Sequence, residues 1–387
     1  MNRRDFLKNS GYAAAAVISA QAMMDFLAAC GGGAAGTTGN VNHAALAAAK
    51  EIVDKATAHV TTWDGPTSGP KAIPGKFIVY TSQDQRNGGA LGVGNGVQEA
   101  CNAIGWRFRL IDGQGTTTGM TTAIDQAIAL KPDAIVDGTI DSQAQKTAWQ
   151  RVAAAGIKVV GWHAAGSPGP VKDPPMITNI ETDPIQTGKA AGAYPLMVAN
   201  GDPGLVVFTD STYAIAIVKS NNIQSETKGV NAAGVLALED TPLADVENRM
   251  PPLVTSLYQK YGQKLKFMAG INDLYFDTAI PTLKSLGVPA SGSGTVSMVS
   301  AGDGSVSAYQ RVRQGQYQVA TIPEPLNLHG WQCVDELNRA FAGQSPSGYL
   351  TPVHLVTKDN IQFDGGPNNI FDPDNGYRDQ YKKIWGV

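Results

Sequence analysis

The sequence predicts an α/β protein built from two doubly wound parallel-sheet lobes joined by a hinge of several strands. Short apolar runs alternate with helical segments from Lys76 onward, a pattern typical of parallel sheets covered by helices on both faces. The alternation breaks at the Gly- and Pro-rich stretch 166–175 and then resumes. A chain of 387 residues is also long enough for two domains. Two such halves predict lobes hinged around a cleft.

In the first lobe, each predicted strand ends in a polar loop. Apolar residues at steps of three and four, as at Val93, Val97, Cys101 and Ile104, predict the helices between the strands. Because the carboxyl ends of parallel strands open onto one crevice, these loops should lie together. The predicted strands are 76–80, 107–111, 134–136 and 157–160.

The second lobe repeats the pattern after a predicted domain crossing at 166–175. Helices are predicted at 246–261 and 276–286. Pro323 and Pro325 mark a second crossing, followed by a helix at 331–341 and a strand at 353–356. The other strands are predicted at 177–180, 205–208, 235–238, 266–269, 295–300 and 318–322.

The first 30 residues read as an export signal with a lipobox. The basic start resembles a twin-arginine signal, and residues 27–31 resemble the lipobox of bacterial lipoproteins, in which Cys30 would be acylated. An ordinary cleaved signal is the alternative. Residues 31–75 are predicted to be a flexible tether, a helix at 44–59 and a Pro-rich lead-in. The twin-arginine pattern matches at Arg3, Arg4, Phe6, Leu7 and Lys8.

Composition limits the classes of partner. A net charge of −3 gives no electrostatic reason to expect nucleic acid or an anionic membrane as a partner. With 43% hydrophobic and only 16% charged residues, the chain has ample material for a core. Three cysteines are too few for a disulfide framework. Cys101 and Cys333 are expected on helices, and their spacing leaves open whether they pair.

Several short motifs carry a family resemblance. Asn87 follows the first strand, Asn272-Asp273 opens a helix after a later strand, and residues 301–304 read Ala-Gly-Asp-Gly. Residues 153–160 and 314–321 add a helix end with the fourth strand and a run into the hinge. From about residue 76 to 343 the chain resembles the type I periplasmic binding proteins, the ribose- and galactose-binding family of ABC importers.

The resemblance implies how the chain is divided between the lobes. It implies that lobe 1 comprises 76–165 plus 324–352. Lobe 2 would then comprise 176–323 plus 353–387, so that the last segment of the chain returns to the second lobe.

The candidate ligand-binding residues all follow predicted strands. Planar and charged hydrogen-bonding groups suit vicinal hydroxyls, and charge-assisted hydrogen bonds are the stronger ones. For any one of the acids, a helix cap or turn role is the alternative. By the resemblance, Asn272, Asp303 and Glu324 fall on ligand positions, with Glu324 replacing a glutamine. The polar candidates are Asp84, Arg86, Asn87, Asp112, Gln114, Asp141, His163, Asp210, Asn272, Asp303 and Glu324, and the candidate aromatic walls are Trp162, Tyr213, Tyr275 and Phe276.

Two departures from the family bear on the ligand. Sugar-binding relatives often have an Asp-Arg pair after the fourth strand, where this chain has His163 and Ala164. A ligand arginine expected after the 205–208 strand is replaced by the stretch that begins at Tyr213. We therefore expect a sugar or polyol held more by stacking and carboxylates than by guanidinium groups.

The expected function is the solute-binding component of an ABC importer, with a small solute and an inner-membrane permease as partners and no cofactor. The sequence leaves open whether a chemoreceptor also recognises the closed form. An exported α/β enzyme acting on a sugar-like substrate is the main alternative. The glycine-rich stretch 87–96 imitates a dinucleotide-binding loop but lacks Gly-x-Gly-x-x-Gly. A transcription regulator would need a DNA-binding head where the signal segment lies.

Overall fold

The computed structural model describes residues 42–227 and 234–387, so Cys30 and the predicted export signal lie outside the described residues. Six strands form the first sheet in the order β2-β1-β3-β4-β6-β5. All neighbours pair in parallel except the edge strand β5, which is antiparallel to β6. The strands are β1 (Phe77–Ser82), β2 (Arg107–Asp112), β3 (Ala134–Gly138), β4 (Lys158–Trp162), β5 (Gly169–Lys172) and β6 (Pro175–Ile180).

A second six-stranded sheet has the order β12-β11-β10-β9-β7-β8. It too is parallel apart from its short edge strand β12. The two sheets, with the helices that cover them, confirm the predicted α/β class with two doubly wound lobes. The strands are β7 (Leu205–Thr209), β8 (Val235–Asp240), β9 (Phe267–Gly270), β10 (Ser297–Ser300), β11 (Gln318–Thr321) and β12 (Val356–Thr357).

Helices follow most strands, and none of those described combines the length and apolar character required to cross a bilayer. Several of these helices begin at a capping polar residue in a strand-end loop. Asn87, Thr116 and Ser305 each accept a hydrogen bond from a backbone N–H of the first turn. The described helices are α1 (His43–Ala56), α2 (Gly88–Ile104), α3 (Thr117–Ala129), α4 (Lys146–Ala154), α5 (Pro184–Val198), α6 (Ala214–Thr227), α7 (Val246–Tyr261), α8 (Leu274–Ser285), α9 (Val306–Gln314), α10 (Leu326–Phe341) and α11 (Tyr377–Trp385).

The first crossing between lobes lies later than the sequence indicates. The stretch 166–175 is not a linker, because β5 and β6 form a hairpin across it. Strand β6 then pairs in parallel with β4, with Trp162 opposite Ile180. The segment 176–180 therefore belongs to the first sheet, and its expected place in the second lobe is wrong. The Pro-rich cluster marks a hairpin turn, which proline and glycine favour as strongly as a domain linker.

The C-terminal segment is divided between the two lobes. Strand β12 pairs with β11 in the second sheet, so this part of the tail returns to the second lobe. Helix α11, by contrast, packs in the first core, where Trp385 stacks on Trp331 with ring centroids 5.4 Å apart. The expected placement of the whole of 353–387 in lobe 2 is therefore wrong for α11. Its aromatic residues are buried against α10 of the first lobe.

Residues before β1 also connect the lobes. Ala49 and Val53 of α1 pack on α5 in the second lobe. The chain then runs without regular structure to the first lobe, where Trp63 packs on Tyr381 and the Trp106 Nε1–H donates to the Ile73 carbonyl at 2.6 Å. We call residues 57–76 the N-terminal connector and residues 358–376 the C-terminal connector.

Candidate ligand-binding site

A small cavity with polar and apolar lining residues lies where the strand-end loops of the two lobes meet. Its volume is about 30 Å³, which is room for about two water molecules. Residues of both lobes line it, as expected for a site at the carboxyl ends of parallel strands. The lining residues are Gln83, Asn87, Thr139 and His163 from the first lobe and Tyr213, Ile215, Ala216, Lys219, Leu243, Ile271, Asn272 and Asp303 from the second.

The first-lobe wall is positioned by β1 and β4. Asn87 caps α2, its Oδ1 accepting from the Gly89 N–H at 2.9 Å. Gly89 allows the lobes to approach, since a Cβ there would lie 2.3 Å from the Asp303 Oδ2. His163 follows β4 with φ +54° and stacks on Trp162, ring centroids 3.9 Å apart. The imidazole is thereby held against the indole and faces the cavity.

The second-lobe wall centres on Asp303, in the loop after β10. Asn272, which follows β9, donates from Nδ2 to the Asp303 Oδ2 at 2.9 Å. The preceding Gly302 has φ +149°, and a Cβ there would lie 2.9 Å from the Lys219 Nζ. A residue with a side chain at 302 would therefore displace the lysine. Burial raises the pKa of Asp303, an effect that Lys219 and His163 oppose.

Lys219 of α6 is buried between two carboxylates. Its side chain is 3% exposed, and its Nζ lies 3.3 Å from the Glu324 Oε1 and 3.8 Å from the Asp303 Oδ1. A buried ammonium needs such compensation, because removing a charge from water is strongly unfavourable. The sequence gives no sign of this role for Lys219, since a helical lysine normally extends its charged end into solvent and nothing in the pattern of α6 marks it.

Glu324, at the crossing after β11, receives positive and donor groups from three directions. The Thr182 N–H donates to Oε2 at 3.0 Å, and the His163 Nε2 lies 3.0 Å from Oε1. Burial alone would raise the pKa of Glu324, but His163, Lys219 and His329 hold it well below the usual range. The Glu324 carboxylate therefore lies next to the buried lysine and both histidines of the cleft.

A chain of hydrogen bonds continues from this cluster through the crossings. The Trp162 Nε1–H donates to the His329 Nδ1 at 3.0 Å, so the His329 proton is on Nε2 and is donated to the Thr351 Oγ1 at 2.8 Å. The hydroxyls of Thr351 and Thr182 are 2.8 Å apart. Burial lowers the pKa of His329 to about 4. Thr182, Glu324 and Thr351 lie on three different crossings, so the site and the hinge share one polar network.

Comparison with known proteins identifies the family. A model of the periplasmic binding protein domain matches residues 78–345. The chain belongs to the periplasmic binding protein family. No curated protein matches the chain significantly in sequence.

Solved structures with the same fold as this periplasmic binding protein come from several bacteria. An ABC transporter solute-binding protein from Agrobacterium vitis with bound α-D-tagatopyranose is 18% identical with a TM-score of 0.66, covering 76% of this chain and 99% of its own. A second protein from that organism, with bound allitol, is 18% identical with a TM-score of 0.62, covering 74% and 97%. A glucose-galactose binding protein from Geobacillus stearothermophilus is 15% identical with a TM-score of 0.63, covering 74% and 99%.

Six of the residues predicted for the site of this periplasmic binding protein come together. Five line the cavity, and Glu324 lies directly behind His163 and Lys219. His163, Asp303 and Glu324 also place three ligand atoms within 4.8 Å of one another, as a metal site would. The Lys219 ammonium already supplies the positive charge there. The five lining residues are Asn87, His163, Tyr213, Asn272 and Asp303.

The expected aromatic walls are mostly core residues. Trp162 is fully buried in the first core and supports His163 from behind instead of lining the cavity. Tyr275 and Phe276 are fully buried in the second core, where the Tyr275 hydroxyl donates to the Thr241 carbonyl at 2.8 Å. These three placements correct the sequence interpretation. Trp162 is the last residue of β4, and Tyr275 and Phe276 lie in the first turn of α8. Each side chain lies on the face of its element that packs against the core.

The remaining strand-end candidates make caps and ion pairs away from the cavity lining. Asp84 pairs with the exposed Arg86 at 2.7 Å. Asp112 accepts from the N–H groups of Gln85 and Gln114, and Gln114 lies with it in a separate surface groove. Asp210 accepts from the N–H groups of Thr212 and Leu243. In the structure these residues therefore have the alternative role expected from the sequence, that of turn and cap residues.

Asp141 has a different role from these caps. Its Oδ1 caps its own loop, and its Oδ2 accepts from the Ala214 N–H at 3.1 Å. Because Ala214 begins α6 of the second lobe, this hydrogen bond joins the two lobes beside the cavity.

Proposed function

We propose that this protein is the solute-binding component of an ABC importer and that it captures a sugar or polyol between its lobes. The observation that carries the proposal is the cavity lined by Lys219, Asp303 and His163, which come from both lobes and are largely buried. Charged donors and acceptors facing one another across a hinge suit a small, uncharged, hydroxyl-rich ligand. The solved relatives with bound tagatopyranose and allitol support this class of ligand.

Ligand capture requires the lobes to move. The cavity of about 30 Å³ is far below the roughly 300–1,000 Å³ of typical small-molecule pockets. A sugar therefore enters when the lobes are farther apart and is retained as they close. Contacts from both lobes favour the closed state through their difference in affinity for the two states.

Recognition would combine hydrogen bonds with one aromatic surface. Asn87, Asn272 and Asp303 present planar acceptors and donors, and Lys219 supplies the cation in place of the arginines common in sugar-binding relatives. Tyr213, 9% exposed, is the aromatic residue of the lining that is available to a sugar's C–H face. The proposed ligand contacts thus include an ammonium group, in addition to the stacking and carboxylates expected from the sequence.

The cellular context follows from the family and the sequence. We propose that the protein is exported through its twin-arginine segment, is anchored outside the cytoplasm by a lipid on Cys30, and delivers its ligand to an inner-membrane permease. Binding without chemical turnover is part of the proposal, supported by the solute-binding relatives.

A thermal-shift screen of sugars, polyols and sugar acids tests the proposed function. A ligand present at 100 times its dissociation constant should stabilise the protein by about 2.7 kcal/mol. The Asp112→Asn variant, altered at a strand-end carboxylate outside the cavity, should respond like the wild type. The proposal fails if no compound of these classes raises the melting temperature, or if a compound that does so is chemically converted.

A further inference from the structure

A second cluster of histidines and aspartates lies away from the ligand cleft, where the two connectors meet. His59 belongs to the N-terminal connector, and Asp364 and Asp374 belong to the C-terminal connector. His354 lies just before β12 and is 3% exposed. His59 is about 300 positions from the other three residues in sequence, so their meeting is a product of the fold.

The ligand atoms of this cluster are closely spaced. The His59 Nε2 lies 3.0 Å from the Asp374 Oδ2 and 3.5 Å from the Asp364 Oδ1. The three ligand atoms are all within 4.8 Å of one another. The His354 Nε2 lies 3.9 Å from the other oxygen of Asp364. One imidazole and two carboxylates thus face one another, and the second imidazole lies against the far oxygen of Asp364.

The backbone and neighbouring rings hold these groups in place. Asp364 is 2% exposed and accepts from the N–H groups of Val60 and Asp374 at 3.1 and 3.2 Å. Its own N–H donates to the Asp374 Oδ2 at 3.1 Å. The rings of His59 and His354 stack on Phe363 and Phe371, with centroids 4.6 and 4.3 Å apart. The two aspartates are therefore fixed side by side, and the rings that face them are oriented by stacking.

We propose that His59, Asp364 and Asp374, with His354 as a fourth ligand, form a binding site for a divalent cation of the zinc class. Bonds of about 2.0–2.2 Å place tetrahedral ligand atoms roughly 3.3–3.6 Å apart, close to the 3.0 and 3.5 Å measured around His59. Imidazole nitrogens favour zinc-like ions, whereas calcium takes six to eight oxygen ligands.

The location gives the ion a structural role. Both connectors run between the lobes, and the cluster joins one to the other. A bound ion would stabilise the native state, because the complete ligand set exists only when the connectors are folded. None of the four residues lines the cavity, so the proposed ion does not depend on the proposed ligand.

Titration of the EDTA-stripped protein with zinc chloride, followed by calorimetry, tests this site. We expect one Zn²⁺ per chain and a rise in melting temperature on Zn²⁺ addition. His59→Gln and Asp374→Asn, chosen because both side chains are partly exposed, should each weaken Zn²⁺ binding by at least about tenfold. Calcium chloride in place of zinc should give no comparable binding.

Matched controls separate this site from adventitious binding. His43→Gln removes an exposed imidazole at the start of α1, and Asp359→Asn removes an exposed carboxylate of the C-terminal connector that is not part of the cluster. Both variants should bind Zn²⁺ like the wild type. Absence of saturable Zn²⁺ binding, or binding unchanged in His59→Gln and Asp374→Asn, would overturn the proposal, as would a preference for calcium. Circular dichroism of each variant confirms that it is folded before titration.

Discussion

At the scale of single residues, the charge balance of the cleft depends on Lys219. Replacing it with methionine leaves Asp303 and Glu324 buried without their ammonium. Breaking a buried ion pair in this way should lower the free energy of unfolding by roughly 3–5 kcal/mol, measured by urea denaturation. Lys266→Met, which breaks a surface ion pair with Asp202, should lower it by only about 0–1 kcal/mol. Equal losses in the two variants would show that Lys219 is not buried as described.

A buried histidine should make stability depend on pH. Burial lowers the pKa of His329 from 6.5 to about 4, so on acidification the unfolded chain takes up a proton before the native protein does. Stability is therefore expected to fall as pH decreases from 6.5 towards 4, by on the order of 3 kcal/mol for this group. His329→Gln should reduce that loss, whereas His43→Gln, on the exposed side of α1, should not. Urea denaturation at a series of pH values measures both, and an unchanged pH profile in His329→Gln would contradict the assignment.

At the scale of elements, hydrophobic periodicity predicts the bounds of helices, whereas proline and glycine clusters do not distinguish a turn from a domain linker. Helix α7 begins and ends where its apolar spacing predicts. Proline and glycine are common both in hairpin turns and in domain linkers. The composition of the stretch before β6 therefore does not locate the first crossing, and the position expected from the sequence is wrong. The amphipathic pattern of α11 predicts that one face of the helix is buried, but it does not predict which lobe that face packs against. The expected place of α11 in lobe 2 is therefore wrong.

For the candidate site too, position in the sequence does not show which way a side chain points. Strand-end position identified Asn87, Asn272 and Asp303, since the topology brings such loops together. It could not separate Trp162, which turns into the core, from His163, which faces the cavity. The sequence does not indicate a site role for Lys219, because this position becomes buried only where α6 of the second lobe approaches the hinge.

Asp141 provides a test of lobe closure. In Asp141→Asn, an amide N–H₂ can face the Ala214 N–H, and the hydrogen bond between lobes is lost. We expect about 1 kcal/mol weaker ligand binding and a larger radius of gyration by small-angle X-ray scattering. Asp210→Asn is the matched control, because Asp210 accepts two N–H groups within one lobe. A radius that changes equally in both variants would argue against a closing role for Asp141.

At the scale of the whole molecule, the proposed lipid anchor depends on Cys30. Cys30→Ser should move the protein from the membrane fraction to the soluble fraction, because the lipid would be the main membrane contact. Immunoblotting of fractionated cells measures this, with Cys101→Ser as a control that removes a buried thiol instead. Unchanged fractionation of Cys30→Ser would refute the lipid anchor.

The central claim is that a sugar or polyol binds at one site between the lobes through Asp303. Isothermal titration calorimetry of the best compound from the screen measures it most directly. We expect one ligand per chain in the wild type, with binding weaker by roughly 1.5–3 kcal/mol in Asp303→Asn and unaltered in Asp112→Asn. A ligand that binds with the same affinity to Asp303→Asn and the wild type would place the site elsewhere and contradict the claim.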